Sequence, residues 1–388
     1  MQQTVLIHGK IKTMAGLTLE NGYIRIRDGK VHNLGEMECF QTEIGEECID
    51  LKGALVLPGF IDAHCHIGIC EDGLGFEGDD TNEDTDPSTP HLRAIDAVNP
   101  MDKSFAEALD YGITTVVTGP GSANPISGQF CAVKTYGRRI DDMVVKAPVA
   151  MKMALGENPK VSYHDKEQAP ITRMATAAII REQLRKAQRY LSDIEKAKED
   201  EDTDEPEFDA KCEALIPLLT GKIKAHIHAH RADDIFTAMR LAKEFKIGYV
   251  IIHCTEGHLI ADILGQQGVS AICGPIIGTR TKPELCNSTT ACPGILAQNG
   301  VRVAISTDHP ELPEHFLAVS AAVAVRDGMD PETALESITS AAAEICEIQH
   351  RVGSIRVGLD ADLVVFRGDP LAIASKPEMV FVEGIKVR

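Results

Sequence analysis

The chain has 388 residues, 44% of them hydrophobic and 25% charged, with a formal net charge of −19 at pH 7. That length exceeds one small domain and fits two or three ordinary domains, or one large barrel with an accessory piece. The negative charge argues against nucleic-acid and anionic-membrane partners, which are held by excess Lys and Arg, and the lack of Trp removes a common stacking platform for single strands.

Residues 1–56 read as short strands and turns. TVLIHGKIKTM, GYIRIRDGKVHNLG and ECIDLKGALVLPG are β-rich pieces broken by the hairpin-forming Asn-Gly and Asp-Gly. From residue 57 the pattern changes to alternating strand and helix. Strand candidates fall at 59–66, 112–119, 129–137, 147–155, 221–230, 247–254, 268–277 and 300–308. Stretches with apolar residues three and four apart, such as ADDIFTAMRLAKEFK, separate most of them and predict helices. Eight strands with crossover helices point to an α/β fold, a (β/α)8 TIM-type barrel over 57–351. A doubly wound sheet is the alternative, but no GxGxxG opens a helix.

Two insertions interrupt that pattern. CEDGLGFEGDDTNEDTDPSTP follows the first strand, at the end where barrel loops cover the active site. It is either a substrate loop or a solvated acidic loop. The other lies between strands four and five, where AAIIREQLRKAQRYLSDIEKAKE is expected to be a solvated surface feature. Residues 352–388 are again β-rich, in GSIRVGLDADLVVFRGDP and PEMVFVEGIKVR. A small β-sandwich domain built from 1–56 and 352–388 accounts for both ends. The 11 cysteines are odd in number, without a CxxC pair, and several lie in apolar runs. That usage suits a reducing, cytoplasmic setting. No run approaches the roughly 18 apolar residues of a spanning helix.

The ligand-type side chains are not scattered. Side chains alternate along a strand, so GFIDAHCHIG puts Asp62, His64 and His66 on one face. Strand five puts Lys224, His226, His228 and His230 on one face; strand six ends in His253 and strand eight in Asp308. A lone histidine is more often a hydrogen-bonded core residue than a ligand. Several at the carboxyl ends of different barrel strands instead describe one mouth, where barrel enzymes place their chemistry. Imidazole and carboxylate are donors for Zn²⁺ and similar cations. Strand four adds Lys152, whose amine among metal ligands makes sense once CO₂ has converted it to a bridging carbamate. The alternative is an ion pair with a carboxylate such as Glu157. The glycine-rich TGPGSANPISGQ lacks the Gly-Lys-Ser/Thr of a phosphate loop and reads as a turn shaping the pocket.

LPGFIDAHCH, HIHAH, IIHC, ISTDH and the tail GSIRVGLDADLVVF together resemble the amidohydrolase superfamily, over the whole chain. Within it the chain is most similar to the imidazolonepropionase-related and metal-dependent dipeptidase group. The resemblance implies that His64 and His66 bind a buried metal with Asp308, and that His228 and His253 bind a more exposed one. Carbamylated Lys152 would bridge the two. His228 is preferred because related ligands open a short His-Ala segment, and because neighbours two residues apart on a strand are separated by about 6.6 Å. His230 and Arg231 then become substrate-binding candidates, and His309 a supporting one. True imidazolonepropionase resembles a one-metal design with His-Ala-Asp-Glu where this chain has His-Ala-His-Arg, whereas Lys152 resembles the two-metal dihydroorotase-like members.

The activity so implied is hydrolysis of an amide or cyclic amide C–N bond of a small molecule. A metal, expected to be Zn as one or two ions, lowers the pKa of bound water to roughly 7, with Asp308 as catalytic proton acceptor. A deaminase on the same barrel and a non-catalytic binding protein are the other readings, and self-association into a homo-oligomer is open.

Overall fold

The computed structural model describes residues 3–388; the first two residues of the N-terminal segment lie outside them. The opening stretch supplies β1 (Gln3–Lys12), β2 (Thr18–Arg27), β3 (Lys30–Glu36), β4 (Glu46–Asp50) and β5 (Leu55–Pro58). The middle supplies β6 (Phe60–Cys65), β7 (Ile113–Thr118), β8 (Ile126–Lys134), β9 (Val144–Ala154), β10 (Lys224–Ala229), β11 (Tyr249–His253), β12 (Ser270–Cys273) and β13 (Arg302–Ile305). The closing stretch adds β14 (Leu363–Phe366), β15 (Met379–Val382) and β16 (Ile385–Lys386).

Each of the eight barrel strands expected from the sequence is present, paired in chain order from β6 to β13. The sheet is nearly closed: Asp308 N–H donates to the His64 carbonyl (3.2 Å) and His66 N–H to the His309 carbonyl (2.8 Å). These two bonds stitch the end of the last strand to the end of the first. One strand departs from an ideal parallel barrel. β8 runs antiparallel to both β7 and β9. Only residues 119–125 connect β7 to β8. That is too short for a crossover, which needs a dozen or more residues, so the chain turns back as a hairpin.

The other strands form the terminal sheet, in the order β16-β15-β14-β5-β1-β2-β3 with β4 branching from β1. They enclose their own core of Leu6, Ile24, Val56, Leu363 and Phe381, among others. β5 runs straight into β6, so the terminal sheet aims the first ligand strand. The joint is Gly59, where a Cβ would sit 2.0 Å from Thr114 Oγ1; no other residue fits so close an approach. Across the same boundary the fully buried rings of Phe60 and Phe366 stack at 5.8 Å. Lys134 of β8, also buried, reaches Asp360 (3.0 Å) and Asp362 (2.5 Å) before β14.

The charged insertion keeps its charged side chains largely at the surface, as expected, and packs one apolar face inward. It forms one long helix, Arg173–Glu199, capped by Thr172, whose hydroxyl oxygen accepts from Ala175 N–H (3.1 Å). Ile180, Leu184 and Ala187 bury one face against the barrel, while Arg181 and Arg185 on its flank pair with Glu244. A stripe at helical spacing carries the packing despite the surrounding charge. Among the described residues no helix is long and apolar enough to cross a membrane.

Candidate metal centre

The end of β6 delivers His64, fully buried and stacked on Phe130 with ring centroids 5.2 Å apart. Its backbone N–H donates to Asp62 Oδ1 (3.0 Å), and Asp62 Oδ2 accepts from Thr307 N–H (2.8 Å) and the Thr307 hydroxyl (2.6 Å). Asp62 is thereby occupied as a clamp between the first and last strands. His66 Nδ1 donates to the Gly119 carbonyl at 2.7 Å, which leaves Nε2 as the lone-pair nitrogen. Both Nε2 atoms, of His64 and His66, lie 3.4 Å from Asp308 Oδ1. Asp308 itself sits at φ 57°, a left-handed conformation that costs a non-glycine residue about 1–3 kcal/mol. The turn it makes carries the carboxylate over the mouth.

Lys152 of β9 is fully buried, with its Nζ 3.1 Å from His64 Nε2. Glu157, its alternative partner, instead accepts from the Glu284 N–H (3.4 Å). Burial pulls the Lys152 amine down to about 7, against the opposing attraction of Asp308.

A second group of donors adjoins the first. His228 comes from β10; His230 lies just past the end of that strand, and His253 ends β11. Ligand atoms of His228, His230 and His253 lie within 4.8 Å of one another, as do those of His64, His253 and Asp308. His253 belongs to both groups. Its Nδ1 donates to the Gly274 carbonyl (2.6 Å), again fixing the tautomer. Strict alternation would send His253 outward with Ile251, which packs among the helices. The left-handed φ of 69° at His253, followed by 50° at Cys254, ends the strand and brings the ring into the cleft.

The same effect bears on His230. A regular strand would hold it about 6.6 Å from His228, but β10 ends at Ala229 and the two ring centroids are 4.7 Å apart. The structure therefore brings His64, His66, Lys152, His228, His230, His253 and Asp308 together. It turns Arg231 away, its exposed guanidinium fork held by Asp233 at 2.9 and 3.0 Å. His309 is buried behind Asp308, its Nδ1 accepting from Glu314 N–H at 3.3 Å.

Alternation on strands did not point to Glu284, which lies on the loop after β12. It is 2% exposed. One carboxylate oxygen accepts from Glu157 N–H (3.0 Å), and the other faces His230 Nε2 at 3.6 Å and His228 Nε2 at 3.9 Å. The only sequence signal was a carboxylate beside a proline, in TKPEL (281–285) after strand seven.

The donor set fits a divalent cation. Burial drives the His64 imidazole down to about 3 and His230 to about 4, and pushes His228 and His253 well below their usual value, so all four are neutral. Asp308 is ionised: burial opposes its charge, but His253, then His64 and His66, hold it well below the usual carboxylate range. His64 Nδ1, both nitrogens of His228 and Glu284 Oε1 are buried with no hydrogen-bond partner among the described residues. Each such orphan costs about 1–3 kcal/mol, and a cation held by His228 Nε2 and Glu284 Oε1 would remove that cost for those two atoms.

The centre floors a cleft of about 970 Å³ lined by His66, His228, His230, His253 and Asp308. Its walls include Cys70, Asp79 and Thr81 from the acidic insertion, and Gly121 and Ser122 from the glycine-rich turn. Both segments therefore reach the site.

Residues 55–386 match the model of the amidohydrolase family. A solved amidohydrolase from Thermotoga maritima is 39% identical, with a TM-score of 0.95 and 99% of each chain covered. The amidohydrolase tasK of Hapsidospora irregularis is 28% identical over 88% of this chain and 37% of its own length. An adenine deaminase of Bacillus velezensis is 24% identical over 96% of this chain and 56% of its own. The chain thus spans less than two thirds of the length of these two curated relatives.

Proposed function

The chain belongs to the amidohydrolase family, and from that premise we propose that it is a metal-dependent enzyme hydrolysing an amide or cyclic amide C–N bond of a small molecule. The observation that carries this reading is the convergence of four neutral imidazoles, one ionised carboxylate and a buried lysine at a single cleft floor. His64, His66 and Asp308 would hold one ion. His228 and His253, with His230 and Glu284 in reach, would hold a second. Nitrogen and oxygen donors of this kind suit Zn²⁺ first.

A cation bound there would lower the pKa of a water to about 7 and polarise a carbonyl. The chain's own groups do the rest. Asp308, at the cleft surface and ionised, accepts a proton from the attacking water and returns it to the leaving nitrogen. The Gly119 and Gly274 carbonyls keep His66 and His253 turned with Nε2 toward the site. Lys152 is desolvated and its amine is pulled down to about 7, so a large fraction is neutral near pH 7 and able to attack CO₂. The product is a carbamate, with one N–C bond formed and one proton released from nitrogen, and it would supply an anionic oxygen donor to a cation held by the neighbouring ligands.

The adenine deaminase relative keeps a second reading open, release of ammonia from a ring amidine. One experiment separates the two. Purified protein is analysed for metal, a crystal structure is inspected for extra density on Lys152 Nζ, and dipeptides, N-acyl amino acids, cyclic ureides and aminopurines are screened. Two ions, a carbamate and release of an amine or opened ring support the hydrolase. One ion, a bare lysine and ammonia support the deaminase, and metal-free protein without turnover overturns both.

A further inference from the structure

The cleft wall holds a polar relay that the hydrolytic machinery does not use. Lys282, from the loop after β12, is half-buried and lines the cleft, and its Nζ donates to Asn158 Oδ1 at 3.0 Å. Asn158 Nδ2 in turn donates to Ser122 Oγ at 2.9 Å. All three residues line the same cavity as the metal centre; Ser122 and Lys282 come from two loops and Asn158 from the first turn of the helix Glu157–His164. Among the described residues no carboxylate lies within 4.0 Å of Lys282 Nζ. An unpaired ammonium inside the cleft of a chain with a net charge of −19 stands out.

The donors left over define what fits. An ammonium has three N–H donors, and Asn158 takes one. The Ser122 hydroxyl accepts from Asn158 and still has its own proton to give. The relay therefore offers an N–H donor at one end of the amide and an O–H donor at the other. A carboxylate, with two oxygens about as far apart as the O and N of that amide, accepts from Lys282 and Ser122 together. The charge of Lys282 is felt at His228 and His230, which it helps keep neutral, so this relay borders the metal centre. Asp79, Asp308 and Glu311 also line the cleft. Those three carboxylates oppose a dianionic phosphate more strongly than a singly charged group.

We propose that Lys282 and Ser122, aligned by Asn158, bind a carboxylate of the substrate, so that the substrates are acids bearing a C–N bond near their carboxylate, such as N-acyl amino acids or dipeptides. This rests on the hydrolase reading for the bond that is cut, and on the relay alone for the acid that is bound.

The test uses the metal-loaded full chain and matched pairs: N-acetyl amino acids and dipeptides, each against its C-terminal carboxamide. The acids should exceed the carboxamides about 10- to 100-fold in kcat/KM, the range for one charge-assisted hydrogen bond. In Lys282→Met the ratio should fall toward one through KM, with metal content and melting temperature unchanged; Lys282→Arg should recover part of it. Equal use of acid and carboxamide by the wild type, or a preference that survives Lys282→Met, overturns the proposal. The pairs are also titrated by calorimetry, without turnover. Acids that bind through Lys282 but are not cleaved support the subsite and count against the hydrolase reading. Hydrolysis with no acid preference does the reverse.

Discussion

The two groups of ligand-type residues are built in different ways. In the group around His64, Lys152 and Asp308, the first two lie within regular strands and the side chains are in close contact: Lys152 Nζ lies 3.1 Å from His64 Nε2, and Asp308 Oδ1 lies 3.4 Å from the Nε2 atoms of His64 and His66. In the group around His228, His230 and Glu284, only His228 lies within its strand; His230 and Glu284 come from segments beyond strand ends. Both nitrogens of His228 and one oxygen of Glu284 have no partner among the described residues. The first leaves one buried atom of its group, His64 Nδ1, without a partner among the described residues, whereas the second leaves three. The first should therefore be rigid with or without metal, and the second should be the part that an ion organises.

The largest effect expected from breaking this contrast is at Asp308, which faces both groups. Asp308→Asn should lower kcat about 10³- to 10⁴-fold, the range of an acid–base group that also touches the ion; steady-state kinetics on any substrate from the screen checks it. Next comes Lys152→Ala. If a carbamate joins the two groups, metal content should fall from two ions toward one, with kcat down about 10²-fold. Millimolar acetate should restore part of both, and full retention of two ions in the variant would remove the bridge from the scheme. Glu284→Gln sharpens the contrast further. Affinity for the more weakly held ion should drop about 10- to 100-fold while the tightly held one is unchanged, as read by metal titration with a chromogenic chelator. The smallest change is expected from Arg231→Ala. That side chain faces solvent and Asp233, so stability should shift by no more than about 0.5 kcal/mol in a urea melt, with kcat/KM within about twofold.

The same division governs what the sequence could reveal. All eight barrel strands were legible because short, largely apolar runs of strand length bounded by turn residues mark strands buried on both faces. The first group followed from that, since His64 and Lys152 lie within their strands and obey alternation. His230 resisted the same logic: Ala229 is the last residue of β10, and beyond it the fixed spacing no longer applies. Glu284 was hidden for the same reason, because a loop's path depends on contacts such as that with Glu157 N–H rather than on any repeat. The antiparallel turn of β8 was within reach, because the short gap between strands two and three leaves no room for a helix.

One pairing has a consequence for how the molecule is made. β5, which leads directly into the His64 strand, hydrogen-bonds on one side to β1 and on the other to β14, Leu55–Pro58 lying against Leu363–Phe366. During synthesis the amino-terminal strands leave the ribosome long before that second neighbour exists. For most of translation, then, an apolar strand edge beside the future reaction centre waits for its mate, open to chaperones or to misdocking with a neighbouring nascent chain.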